Sequence, residues 1–400
     1  MRSEQTMKMT ARFSLGVLKH SLLKNSLMIA LISASAVSCE RQTPKSGLDV
    51  SDVIHSPVKR QSIGNCWLYA AGSWAESLHL SATGQVVNLS ESYWTYWDWF
   101  DKIQSGTGEK IHTGGSWWLA NRIIREHGYM IEGEFIPGEA DEQMSNTQRS
   151  AEAAINKALS EGILKNREDR TEANIKTALN AAFGVDIDAL AQKTHPASDL
   201  PTTKKSDDSF YTLEDEIIGG AHAWKTLRYP QLYGKDAQVD SDTKQARAHI
   251  LKTVLKAVNA KVPVVMSSMV EFAALNRDKN ATFEYDLYIK AGRSSGQGGH
   301  LIVLEDYVVD NVPGVGRIGE GDVSDELKEA ALTGDVQYLV VKNSWGSNRP
   351  ERGLSDGYTR FEMKFLDLPL PFNLEDGETD ISKGDWYSAL SSFVVPPEFN

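Results

Sequence analysis

Only two of the 400 residues are cysteines, Cys39 and Cys66. A chain with so few thiols has no disulfide framework to lean on, so a hydrophobic core must hold it together. The length permits a sizeable core, enough for a domain of two lobes. Each thiol is then free for other chemistry, and the two sit in very different surroundings.

Cys39 ends what reads as a leader. Arg2, Lys8, Arg12, Lys19 and Lys24 stand against a single Glu4, and an apolar run broken only by serines follows from Leu27 to Val37. That is the layout of a secretory signal, and the run is too short for a comfortable membrane span. In Ala36-Val37-Ser38-Cys39-Glu40, small residues precede the cysteine. This resembles a bacterial lipoprotein cleavage box and implies Cys39 as the acylated first residue of the mature chain, although Ala36 stands where leucine is usual. Cleavage after Ala36, at Ala34-Ser35-Ala36, is the competing reading and would release a soluble periplasmic protein. The expected division is a leader over 1–38, a polar tether over 39–54 and one domain over 55–400. That domain carries a charged, alanine-rich insertion at about 139–210. Loss of five basic residues and one acidic residue with the leader moves the formal charge from −12 to −16. Such a charge argues against nucleic acid or anionic headgroups as partners, so membrane contact is expected only through the lipid anchor.

Cys66 lies in Gln61-Ser62-Ile63-Gly64-Asn65-Cys66-Trp67-Leu68-Tyr69-Ala70, at the predicted first turn of an apolar helix. Backbone amides and the helix dipole favour a thiolate there. The competing reading is a buried small hydrophobe. Two later segments weigh against it. Gly298-Gly299-His300 opens an apolar strand, and Asn343-Ser344-Trp345-Gly346 closes another. A thiol nucleophile needs an imidazole to take and return its proton, and the imidazole needs a neighbour that fixes its orientation.

The order Gln61, Cys66-Trp67, His300, Asn343-Ser344-Trp345-Gly346 resembles the papain family of cysteine peptidases. Asn88-Leu89-Ser90-Glu91-Ser92-Tyr93, ending in Trp97-Asp98, and Gly114-Gly115-Ser116-Trp117-Trp118 resemble the bleomycin hydrolase branch of that family. The likeness covers roughly residues 55–135 and 260–365. It implies Cys66 as nucleophile, His300 as general acid and base, Asn343 as the orienting amide and Gln61 as an oxyanion donor. It also implies Trp345 as an indole lid over the His–Asn pair and Gly114 and Gly115 as binders of substrate backbone; a plain tight turn is the competing reading of the two glycines. Three features depart from the pattern. Gln61 lies one position closer to the cysteine than usual, Leu301 replaces a small residue after the histidine, and an acidic insert around Asp310–Asp335 lengthens the His-to-Asn gap. His222, in Gly219-Gly220-Ala221-His222-Ala223-Trp224, has small neighbours and is the rival base, but no long apolar strand follows it.

Periodicity predicts helices over Cys66–Leu80, Ser90–Ile103, Ser116–His127, Thr147–Glu161, Thr171–Phe183 and Asp242–Asn259, then strands at Val262–Ser268, Phe283–Ala291, His300–Val309, Tyr338–Lys342 and Tyr358–Met363. Helices first and strands later predict an α+β fold of papain-like type. A helical lobe would face an antiparallel, β-barrel-like lobe across an active-site cleft. The tryptophans at helical spacing, Trp94 to Trp118, are expected in the core, and the insertion as a solvated spacer. No phosphate-cradling glycine loop or metal-spaced cluster is legible, so no cofactor and no metal are expected. The expected partner is a peptide or protein substrate, hydrolysed through an acyl-enzyme. The alternatives are an impaired envelope protein that only binds peptides, and acyl transfer to an amine.

Overall fold

The computed structural model describes residues 53–399 apart from 141–143, 351–352 and 355. The leader, Cys39 and almost all of the tether therefore lie outside the described residues. No helix among those described is long and apolar enough to cross a membrane.

The first half of the chain is mostly helical: α1 (Cys66–Thr83), α2 (Glu91–Ser105), α3 (Trp117–His127), α4 (Glu132–Phe135), α5 (Asn146–Ser160), α6 (Glu172–Phe183), the hairpin β1 (Pro201–Lys204) and β2 (Phe210–Thr212), then α7 (Leu213–Glu216). The second half builds a sheet from β3 (Lys225–Arg228), α8 (Ser241–Asn259), β4 (Val264–Glu271), β5 (Leu275–Asn276), β6 (Thr282–Phe283), α9 (Tyr285–Ala291), β7 (Gln297–Val312), β8 (Gly316–Ile318), α10 (Asp325–Ala331), β9 (Asp335–Lys342), β10 (Tyr358–Glu362), α11 (Met363–Asp367), β11 (Pro369–Phe372), β12 (Asp385–Ser388) and β13 (Leu390–Val395). The main sheet runs β3-β13-β4-β7-β9-β10-β6-β5, with β8 also on β7. Its pairings are antiparallel save β10 with β6. The fold is α+β in two lobes.

Two helix starts are legible as caps. Ser90 accepts the Tyr93 N–H ahead of α2, and Ser116 accepts the Leu119 N–H ahead of α3. The central helix α1 is buried on nearly every side from Cys66 to His79, as expected of a helix enclosed by its own domain. Gly84 ends it in the left-handed region (φ 72°), its N–H returning to Leu80 O at 2.8 Å. The α1 core also takes in Val265, Leu301, Val303 and Val394 from one face of the sheet, while Ile302 and Leu304 on the alternate face of β7 belong to a second core. One strand thus serves both lobes.

The sequence expectations fail in three places. Phe283–Ala291 is a two-residue strand followed by a helix, α9, whose end is set by Gly292 in the left-handed region (φ 63°). The 139–210 region is no solvated spacer: Ile155, Leu159, Ile175, Leu179 and Phe183 pack into the α1 core, and the region ends in β1, which lies against α1. Trp94 and Trp99 are buried as expected, but Trp118 is 55% exposed.

Candidate active site

Asn65, the residue ahead of α1, does not cap it. Its side-chain N–H groups donate instead to Thr95 Oγ1 and Gln148 Oε1, both at 3.0 Å, in α2 and α5. The Asn65 carbonyl takes the Leu68 N–H at 3.0 Å, and the Trp67 amide is the first-turn donor that acts on Cys66. From the sheet side, the register Ser268↔His300 and Val303↔Lys342 brings the start of β7 next to the end of β9. His300 and Asn343 meet there, His300 Nε2 donating to Asn343 Oδ1 at 3.0 Å. The Asn343 amide donates in turn to Thr359 Oγ1 at 3.0 Å, which fixes which way the carboxamide faces. With Nε2 committed, Nδ1 is the nitrogen left for the thiol; Cys66 and His300 line the same cleft, and each shifts the other's titration electrostatically. Gly299 O lies 4.0 Å from Sγ.

Burial alone would push the Cys66 thiol up. The charge of His300 and the backbone N–H groups of Leu301 and Trp67 outweigh it, and the net shift is below the ordinary 9.0. Burial would likewise push the His300 imidazolium down, but Cys66 and the Asn343 oxygen more than offset this and hold it above the ordinary 6.5. Each group favours the charged form of the other, so the pair leans towards thiolate and imidazolium.

Trp345 stacks on His300, with ring centroids 5.3 Å apart and planes 24° from parallel. It backs the imidazole and is not part of the cleft wall. Gln61 is also behind the wall: its amide donates to Ile63 O at 2.8 Å and its oxygen accepts from Ser344 Oγ at 2.5 Å. A carboxamide nitrogen carries two hydrogens, so one donor of Gln61 is not used by that bond. Gly114 and Gly115 do line the cleft beside Cys66. A Cβ on Gly115 would come within 2.3 Å of the Trp67 ring, whereas one on Gly114 would meet nothing within 4 Å. The loop is held by Trp67 Nε1 donating to Thr113 O at 2.9 Å and by Lys102 Nζ donating to His112 O and Gly114 O. His222 is elsewhere, stacked on Tyr211 and beside Glu216 and Glu398.

The cleft has a volume of ≈ 520 Å³. Its wall also includes Trp117, Trp118, Ile218, Trp224, Ser267, Leu301, Ser392 and Val394. Sequence reasoning missed Ile218, Trp224, Ser267, Ser392 and Val394, because they converge only through the pairing of β13 with β3 and β4. It also missed a buried ionic cluster behind the site. Lys59 Nζ bridges Glu76 (2.7 Å) and Glu91 (2.9 Å), and Lys342 Nζ donates to Ser56 Oγ at 3.0 Å, which donates to Glu76. Burial pushes Glu91 up to about 7 and Lys342 down to about 8. Among the described residues, one His/Asp/Glu group has metal-like spacing, Asp101, Glu126 and His127; Arg122 pairs with its Asp101 at 2.9 Å.

No protein-family model and no curated protein matches the chain. Among solved structures it is similar to PepW from Lactobacillus rhamnosis, at 14% identity over 88% of this chain and 82% of that one, with a TM-score of 0.39. It is also similar to the Carica candamarcensis cysteine protease CMS1MS2 in complex with E-64, at 14% identity over 85% of this chain and 92% of that one, with a TM-score of 0.33.

Proposed function

We propose that this chain is a papain-like cysteine peptidase. One observation carries the reading: a single buried imidazole, His300, is hydrogen-bonded to the Asn343 amide and lines the same cleft as the Cys66 thiol, to which it is electrostatically coupled. The Cys66 thiolate attacks a peptide carbonyl, forming a C–S bond and an oxyanion. The Cys66 backbone N–H is the proposed donor to that oxyanion, and Gln61 would have to turn its second N–H into the cleft to join it. His300 then gives its proton to the leaving amine as the C–N bond breaks, leaving an acyl-enzyme. Water attacks this thioester with His300 as base, and the thiolate leaves again with the acid released. Asn343 keeps Nδ1 aimed at sulfur, Trp345 shields the His–Asn bond from water, and Gly114 leaves room for substrate backbone. Replacing Cys66 with Ala should abolish peptide cleavage with the fold retained; undiminished turnover would overturn the assignment.

A second reading keeps the cleft but not the reaction. The position of Gln61 behind the wall favours a protein that binds peptides and turns them over poorly. Labelling of Cys66 by an electrophile, together with product analysis on a mixed peptide library, separates the two and also detects transfer to amines. We further propose that the chain is exported and anchored through acylated Cys39, supported by the leader sequence alone. The mass of the mature N-terminus tests this, since an unmodified terminus at Val37 would exclude lipidation.

A further inference from the structure

His222, the rival base of the sequence reading, sits where two cleft-lining segments meet. Its Nε2 lies 3.3 Å from Glu398 Oε2 and 3.8 Å from Glu216 Oε2, and its ring stacks on Tyr211 at 4.3 Å between centroids. Glu216 belongs to α7, is fully buried and accepts from Trp224 Nε1 at 2.7 Å and from Thr202 Oγ1 at 3.1 Å. Glu398 belongs to the turn Pro397–Phe399, directly after β13. The loop between α7 and β3 is folded tightly back on α7. His222 N–H bonds Asp215 O, Trp224 N–H bonds Glu216 O, and a Cβ on Gly220 would come within 2.3 Å of two α7 carbonyls. Two cations lie nearby: Lys205 Nζ sits 4.3 Å from the Tyr211 ring centroid, and the Arg125 guanidinium lies against Gly219 of the same loop.

That loop carries Ile218 and Trp224 into the cleft, and β13 carries Ser392 and Val394 into it from the adjoining side. Ile218 is among the exposed large hydrophobic side chains, so its own packing does not hold it in place. The geometry points to a clamp in which His222 and Glu398 are positioning residues that set the width of the substrate groove. They do so by tying the Ile218–Trp224 loop to the segment that continues β13. His222 carries the β3–β13 pairing (Lys225↔Val395) three residues further along both segments, to a side-chain contact with Glu398. The clamp rests on the reading of this cleft as the place where a peptide lies next to Cys66.

The test compares how fast Cys66 is alkylated by iodoacetamide and by a phenylalanine-containing tripeptide chloromethyl ketone. The first reagent reports the thiolate alone, while the second must also fill the groove. His222→Gln and Glu398→Gln should each slow the peptidyl reagent by about two- to five-fold, the range over which a partly exposed ion pair moves an equilibrium. Iodoacetamide labelling should be unchanged, and the double variant should be no slower than either single one. At acid pH, where an imidazole is protonated, added salt should slow the peptidyl reaction of the wild type and leave that of Glu398→Gln unaffected. Equal losses with both reagents, additive losses, or no loss in either variant would overturn the clamp. Should His222→Gln fail to fold, Glu398→Gln and its salt response carry the test alone. Failure of the peptidase reading is a separate result, since it appears as absent turnover while the labelling ratio still measures the groove.

Discussion

Two polar clusters lie side by side along the boundary between the lobes, and they are built on opposite electrostatic plans. In the first, Cys66, His300 and Asn343 carry no fixed charge. Passing one proton from thiol to imidazole creates both ions at once, and each ion's leading charged influence is the other. In the second, Lys59, Glu76, Glu91 and Lys342 are bound to one another and to Ser56, with Glu76 and Glu91 almost fully buried. The chain passes directly from one plan to the other, because Lys342 precedes Asn343. One residue in four of the sequence is Asp, Glu, Lys or Arg, yet among the described residues none of these lines the cleft. The contrast teaches where permanent charge is useful. The ionic cluster staples segment 56–61 to α1, α2 and β9, and the cleft is kept clear of fixed charge so that the thiolate–imidazolium balance is set locally.

Changes in the two clusters should therefore fail in different ways. The largest effect belongs to the first. Cys66→Ala should lower kcat by roughly a million-fold, as loss of a nucleophile does, with little change in thermal unfolding. Glu76→Ala should do the reverse. It strips Lys59, Ser56 and the Leu89 N–H of an acceptor in a dry setting. Removing one member of a buried ionic group costs about 3–5 kcal/mol, visible as a lower denaturation midpoint. If Glu76→Ala folded stably but lost activity selectively, the division of labour between the clusters would be wrong.

How far the sequence foretold this depends on whether the signal was local. The helix starts at Ser90 and Ser116, the helix end at His127 and the central apolar strand at His300 were readable because each is signalled within a few residues. Cys66, His300 and Asn343 were nominated by motif, and their meeting is a consequence of sheet register that no single segment carries. The helix at Tyr285–Ala291 was misread because its alternating aromatic and charged residues imitate a strand, and Gly292 was passed over as its stop. The ionic cluster was invisible for a further reason. Lys59, Glu76, Glu91 and Lys342 are ordinary charged residues until tertiary packing removes their water. Trp118 was assigned to the core by spacing, although only one side of α3 faces inward.

Asn343→Ala tests the first cluster more finely. The amide bears no charge and takes no proton, so its loss should reduce kcat by only about 10²-fold, the low end of what positioned acid–base catalysis contributes. Its effect on pH dependence is more telling. Activity requires thiolate and imidazolium together, so the acid limb follows Cys66, held below 9.0, and the alkaline limb follows His300, held above 6.5. The Asn343 oxygen accepts from Nε2–H and so favours the protonated ring, raising the upper limit of the active window. Without it, the alkaline limb should move to lower pH. The acid limb should move less, because the Cys66 shift draws on His300 and on the Leu301 and Trp67 amides and not on Asn343. A profile of kcat/KM against pH distinguishes this from general damage to the site, which would lower the whole curve without moving its alkaline edge. An alkaline limb that stays in place would mean that Asn343 only aims the ring, and that Cys66 alone sustains the charge on His300.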